Sequence, residues 1–427
     1  MKKLTASFLI TLSMAFAMLA SCVENPVTGE RNLGLVSESQ ELQIGEENYL
    51  ATQQIQGGSY ELDPELTRYV NSVGQKLAQV ADRELPYEFV VLNNGVPNAW
   101  ALPGGKIAVN RGLLVELDNE AELAAVLGHE IVHAAARHTA QTLERGMLLQ
   151  LGVAALGIAA SDSDYANLAV GAGMIGAQVI NSRYSREAEL EADRYGMQYM
   201  SEAGYDPDAA VSLQETFVRL SEGRNPGWLE GLFASHPPSQ ERVERNRAYA
   251  QELPDEGTLG RKVFREKTER IRELQPAYAA FDEGQKALSE GNGELAERKA
   301  REALRIESGE ARFHGLLGKS LLQQQRNNEA LEPFDKAIAL NPEYFEFYIY
   351  RGLLREEASN LAAARQDLEK ANQLLPTAIA HEGLGDIAVA QGQRDQAVAH
   401  YRIAATSDSP VGRRAAEKLA RLAQGAR

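Results

Sequence analysis

The last third of the chain repeats itself, and this restricts the fold more than any other feature. Gly284, Gly318, Gly352 and Gly385 recur at intervals of 34, 34 and 33 residues. Ala296, Ala330, Ala364 and Ala397 keep the same spacing, as do Ala303, Ala337, Ala371 and Ala404. Phe334 and Tyr401 share an equivalent large-residue position, with Leu368 between them, and Pro342 and Pro376 close two of the units. A period of this length belongs to a helix–turn–helix unit that stacks on its neighbours, its small residues letting the helices approach closely. Residues 276–427 are therefore expected to form an all-α solenoid. The first unit is degenerate, with Ala300 in the large-residue position. These glycines and alanines are packing residues and imply no chemistry.

At 427 residues and 44% hydrophobic, the chain can hold two or three domains with sizeable cores. The net charge of −16 would repel phosphates, which excludes nucleic acid as a partner. Lys2 and Lys3 precede an apolar run from Leu4 to Met18 that is short for a transmembrane helix, as in a secretory leader. Leu19-Ala20-Ser21-Cys22 resembles a bacterial lipoprotein signal, which implies lipidation of Cys22 and a membrane anchor. Cys22 is the only cysteine, so no intrachain disulfide is possible. Val23 in place of aspartate resembles the sorting signals of Gram-negative lipoproteins held at the outer membrane. The expected divisions are a leader at 1–21, a tether at 22–37, a catalytic domain at 38–252, a charged helical linker at 253–275 and the repeats.

Within the catalytic domain a helix is expected from about Glu38 to Gln54. A clearer amphipathic one runs from Pro64 to Ala81, with Leu66, Tyr69, Val70, Val73, Leu77 and Val80 on one face. Tyr87–Leu92 reads as a strand. Asn98–Leu102 and Lys106–Val109 flank Pro103-Gly104-Gly105 and read as a hairpin. Asn119 and Glu122 form a capping-box pattern ahead of a further helix. Two apolar stretches, Met147–Ala160 and Ala166–Ile180, read as buried helices, as a mobile cover or as a membrane-dipping hairpin. Ser185–Ala203 is helical again and ends at Gly204.

The chemistry lies at His129-Glu130-Ile131-Val132-His133. Histidines four apart share a helix face and can hold one ion, while Glu130, about 100° round the helix, can reach a water on it. This is the arrangement of a zinc hydrolase. The pattern is short enough to arise by chance, and a catalytic zinc needs a third protein ligand. Glu189 and Asp193, also four apart on one helix, can supply it, one as ligand and the other orienting a ligand histidine. Glu187 and Glu191 read as solvated, and His138 as structural. His314, His381 and His400 read as surface or packing residues.

Together with Glu189-Leu190-Glu191-Ala192-Asp193, Ser235-His236-Pro237-Pro238 and Arg242, this motif resembles the HtpX/BepA-type zinc metallopeptidases, relatives of the CAAX prenyl proteases. The resemblance covers roughly residues 25–250. It implies one zinc per subunit on His129, His133 and Glu189, with Glu130 as general base and Asp193 bonded to a zinc histidine. His236 would approach the metal or the transition state, and in BepA-type members such a histidine can close the open zinc position. Asn98, Ala99 and Trp100 would belong to an edge strand that lays out a peptide, while the Trp100 side chain reads equally as core. The 34-residue unit is the tetratricopeptide period, and BepA-type members carry such repeats at the C-terminus. One departure is that this chain reads as lipidated, whereas the BepA type is released into the periplasm.

The fold expected is α+β: a mostly helical zincin-like domain with a small antiparallel sheet, then the solenoid. Two functions are implied. One is a lipid-anchored periplasmic endopeptidase acting on misfolded or unassembled envelope proteins, with repeats that dock substrate or outer-membrane assembly machinery. The other is a chaperone-like assembly factor whose zinc site is largely closed.

Overall fold

The computed structural model describes residues 22–145, 183–223, 235–254 and 256–424. The leader and both apolar stretches between 147 and 180 lie outside them. The chain opens with an antiparallel hairpin, β1 (Cys22–Glu24) and β2 (Arg31–Leu33). The expected tether is thus folded onto the catalytic domain. Its turn signals close the hairpin, and buried side chains hold residues 35 and 36 just beyond it. Glu144 takes the backbone N–H groups of Leu35 and Val36 at 2.9 Å each, and Arg137 donates to the Val36 carbonyl at 2.5 Å.

Helix α1 (Glu38–Ile55) starts at a capping box formed by Ser37 and Gln40. Helix α2 (Pro64–Ala78) stops one turn short of the expected end and buries Leu66, Tyr69, Val70, Val73 and Leu77. Strands β3 (Glu88–Leu92), β4 (Ala99–Leu102) and β5 (Lys106–Asn110) form a sheet in the order β3-β5-β4. The β4–β5 hairpin is antiparallel as expected, but β3 pairs with β5 in parallel. The sheet is therefore mixed rather than antiparallel. Strand β5, buried along its whole length, takes the centre, and β3 lies at one edge with Glu88 exposed. Ala99 and Ala101 face the main core; Trp100 and Leu102 face the other side, under Ile44 and Tyr49 of α1.

After the short α3 (Arg111–Leu114), Asn119 caps α4 (Glu120–Ala135) by accepting from the Glu122 N–H. Glu122 reaches back one residue further than expected, to the Asp118 N–H at 2.7 Å. Ser185 caps α5 (Arg186–Glu202), and α6 (Asp208–Gly223) and α7 (Gln240–Ala250) complete the domain. Helices α4 and α5 cross at Gly128 and Gly196. A Cβ on Gly196 would lie 2.9 Å from the His129 backbone nitrogen, so only glycine permits this approach. The crossing sets the distance between the HExxH helix and the Glu189 helix.

The linker holds α8 (Arg261–Glu273), which buries Phe264 and Ile271 and whose Arg272 donates to the Leu114, Val115 and Leu117 carbonyls. It is packed against the catalytic domain rather than free. The repeats follow as helix pairs: α9 (Gln275–Ser289) with α10 (Gly293–Ile306), α11 (Ala311–Gln323) with α12 (Asn327–Leu340), α13 (Phe345–Glu357) with α14 (Leu361–Leu374), and α15 (Ala378–Ala390) with α16 (Arg394–Ala404). Helix α17 (Pro410–Gln424) closes the stack. The periodic residues behave as their spacing implies. Gly318 faces Phe334, Gly352 faces Leu368 and Gly385 faces Tyr401, each leaving room for the large residue on the second helix of its pair. The recurring alanines are fully buried. Glu310 ties the two domains by accepting from Asn93 at 3.0 Å and from Tyr278 at 2.8 Å. Among the described residues no helix is long and apolar enough to cross a membrane.

The crossing yields a prediction. Gly196→Ala forces α4 and α5 apart and lowers folding stability by about 1–3 kcal/mol, read as a lower urea midpoint. A midpoint equal to wild type would mean that the crossing has slack.

Candidate metal centre

Helix α4 presents His129 and His133 on one face, and α5 sets Glu189 opposite them. His236, just ahead of the Ser239 cap of α7, completes a buried cluster whose ligand atoms all lie within 4.8 Å of one another. His129 Nε2 is 3.0 Å from His133 Nε2 and 3.2 Å from His236 Nδ1. Glu189 Oε1 is 2.9 Å from His236 Nδ1 and 3.4 Å from His133 Nε2.

The tautomers follow from the partners. His129 Nδ1 is 2.9 Å from Asp193, an acceptor-only carboxylate, so Nδ1 carries the proton and Nε2 a lone pair. Burial drives the His133 pKa well below its ordinary value, so that ring is neutral. Its Nε2 faces the same point as that of His129. Ligands about 2.0–2.1 Å from a tetrahedral zinc stand roughly 3.3 Å apart, the spacing of this cluster. The donor set fits zinc.

Asp193 is held in turn by Arg242, at 2.7 Å to Nε and 2.6 Å to Nη2, and Arg242 Nη1 lies 2.8 Å from Glu189 Oε2. Burial works to raise the Asp193 pKa, but Arg242 and His129 outweigh it and hold it below the usual range. Glu189 is likewise held well below its ordinary value against burial, by His236, His129 and Arg242. Glu130 behaves oppositely: burial pushes its carboxyl up, and Oε2 has no hydrogen-bond partner among the described residues. A carboxylate with a raised pKa and a free oxygen beside a metal site suits a proton carrier. Its Oε1 lies 3.5 Å from His236 Nε2. Burial works to lower the His236 pKa, but Glu189 and Glu130 outweigh it and raise it. A cavity of about 40 Å³ adjoins Glu130, walled by Val126, Met197, Met200, Leu213 and Phe217, and the Gln214 amide oxygen on its lining has no partner among the described residues.

Sequence reasoning brought His129, Glu130, His133, Glu189, Asp193 and His236 to one place, and they meet there. The edge-strand residues divide. Trp100 is core: it packs edge-on against Tyr49 on the sheet face away from α4, because successive strand residues alternate faces. Ala99 lies under α4, and Asn98 is buried with its backbone carbonyl taken by Asn110 at 2.8 Å. Peptide contact on this strand would have to come from main chain, and the Ala101 carbonyl already accepts from Thr139 at 3.1 Å. Glu187 is exposed as expected, but Glu191 is not solvated: it pairs with His138 and Asn25. Tyr184 was not anticipated. It stacks on His133 with centroids 3.8 Å apart and bonds Thr139 at 2.9 Å. Nothing in its local sequence marks it.

Residues 64–250 match the model of peptidase family M48, and 281–344, 316–379 and 382–425 match the tetratricopeptide repeat. Metalloprotease YcaL of Escherichia coli K12 is 31% identical over 41% of this chain and 68% of its own length. This chain belongs to peptidase family M48. The beta-barrel assembly-enhancing protease of the same organism is 30% identical over 58% of this chain and 52% of its own. The chain thus spans about half the length of the first curated relatives it matches. Among solved structures, the Arabidopsis OM64 TPR domain aligns at 18% identity and a TM-score of 0.27, over 28% of this chain and 98% of that one. The M48 match encloses the whole cluster from His129 to His236.

Arg242 and Asp193 supply a prediction. Arg242→Leu leaves two buried carboxylates without their cation, and the metal-free protein should lose about 3–5 kcal/mol at neutral pH. The sign of the pH effect follows from the depressed Asp193 pKa. Its stabilisation is complete above the unfolded value, about 3.9, and is lost as pH falls through the lower folded value. Urea titrations across the acid range should show this loss in wild type and a smaller one in the variant. Equal neutral-pH stability would contradict the buried-pair account.

Proposed function

We propose that this chain is a zinc endopeptidase of unfolded polypeptides, with one zinc per subunit on His129, His133 and Glu189 and with His236 in the fourth position at rest. The observation that carries this is the convergence of four buried donors beside Glu130, whose second oxygen has no partner among the described residues. Zinc, when bound, supplies a Lewis acid for the scissile carbonyl and brings the pKa of water into the neutral range. Glu130 takes the proton from the attacking water and later gives it to the leaving amine. Its raised pKa brings it closer to that of water so activated, which eases both transfers. Asp193 holds the His129 ring, and Arg242 holds Asp193. The residue on the amine side of the bond must lie beside Glu130, where the small apolar cavity favours a small aliphatic side chain.

The physiological setting rests on resemblance. We take the chain to be periplasmic, anchored at the outer membrane through lipidated Cys22, and to act on misfolded or unassembled envelope proteins. The tetratricopeptide repeats offer a concave face for substrate or for outer-membrane assembly machinery. The name of the beta-barrel assembly-enhancing relative supports that direction. One observation favours a second reading, an assembly factor with a closed site. His236 lies among the ligands and against Glu130, where an attacking water would be needed.

Zinc content and cleavage of unfolded casein in wild type, Glu130→Gln and His236→Ala separate these readings. The endopeptidase reading expects zinc in all three, no cleavage in Glu130→Gln and faster cleavage in His236→Ala. Mass spectrometry of the products should show small aliphatic residues after the cut bonds. Proteolysis retained by Glu130→Gln would overturn the mechanism, and zinc without activity in any form would favour the assembly factor.

A further inference from the structure

Helix α4 ends in a way that the chemistry above does not use. Arg137 has a φ of 65°, a left-handed conformation that non-glycine residues adopt at a cost. In an unbroken helix His138, five residues after His133, would point about 140° away from it. The break at Arg137 turns the chain so that His138 Nδ1 lies 3.1 Å from His133 Nδ1. The surroundings fix the break, since the Arg137 guanidinium pairs with buried Glu41 and donates to the Val36 carbonyl.

His138 is buried, and its Nε2 lies 3.3 Å from Glu191 Oε1. Asn25 Nδ2 donates to the same oxygen at 2.8 Å. The Asn25 amide cannot flip without loss, because its Oδ1 accepts from the Val27 and Thr28 N–H groups at 2.9 and 3.3 Å. The direction of the chain of bonds is then determined. Glu191 only accepts, so His138 Nε2 carries the proton. With that single proton on the ring, His138 offers a lone pair on Nδ1, placed 3.1 Å from His133 Nδ1 to accept its N–H. His133 Nε2 is left with a lone pair directed into the donor cluster.

We propose that His138 and Glu191 are positioning residues that set the tautomer and ring orientation of His133 and tie this metal ligand to Asn25 in the N-terminal hairpin. The proposal rests on the metal-site reading above, although not on proteolysis. It gives the two histidines of the HExxH motif separate carboxylate supports from one helix, Asp193 for His129 directly and Glu191 for His133 through His138. It also makes the segment next to Cys22 part of the metal site rather than a spacer. Partners of this kind typically alter metal affinity 10–100-fold when removed.

The test uses the full chain and two readouts, zinc affinity by chelator competition and the visible spectrum of the cobalt-substituted protein. His138→Leu should weaken zinc about 10–100-fold and shift the cobalt bands. His138→Asn, whose side-chain oxygen stands near the place of Nδ1 and can accept from His133, should restore affinity to within a few-fold of wild type. Should His138→Leu fail to fold, Glu191→Leu removes the far acceptor at a half-buried position and should weaken zinc in the same direction. Wild-type affinity and spectrum in His138→Leu or Glu191→Leu would overturn the proposal, and so would Asn and Leu at 138 being equally weak. These outcomes leave the metallopeptidase reading standing, whereas a wild type that does not take up zinc would overturn both.

Discussion

Three imidazoles and a carboxylate crowd one buried point, and most of the catalytic domain is arranged so that this can persist. The Gly128–Gly196 crossing sets how close the two donor helices come. Arg242 keeps Asp193 ionised out of water, and His236, His129 and Arg242 together do so for Glu189. Asp193 directs the His129 lone pair inward. In a low-dielectric interior such charges and dipoles act strongly, and each needs a partner to be tolerated. A metal ion fits the point on which these four side chains converge.

Glu130 stands apart from this arrangement. It is buried like the ligands, yet its pKa is pushed up while those of Glu189 and Asp193 are held down. Three carboxyls within one site thus divide into two that stay charged and one suited to carrying a proton, which is how a single environment assigns different roles to the same group. The closeness of His236 to both Glu189 and Glu130 adds a restraint on the site. The repeats are joined to this domain through Glu310, Asn93 and Tyr278, and Asn93 lies just after β3, in the loop that leads to the edge strand.

The features legible in the sequence were local or periodic. The HExxH spacing, the Glu189–Asp193 spacing, the cap at Asn119 and the 34-residue period each follow from helix geometry within a few turns. The features that were not legible depend on partners far along the chain. Residues 22–37 read as a tether because the Asn25–Glu191 contact spans 166 positions. Glu191 read as solvated because His138 reaches it only through the left-handed break at Arg137. Trp100 read equally as core and as substrate contact because strand alternation gives two faces without saying which one meets the active-site helix. The parallel pairing of β3 had no local signal, since its partner β5 follows only after β4 in the chain.

The central claim is that His129, His133, His236 and Glu189 together hold one zinc in the resting protein. X-ray absorption at the zinc edge of the full-length chain tests it most directly. The account predicts one zinc per chain bound by three imidazoles and one carboxylate, with the third imidazole absent in His236→Ala. Zinc bound by two imidazoles in wild type, or the same spectrum with and without His236, would contradict it.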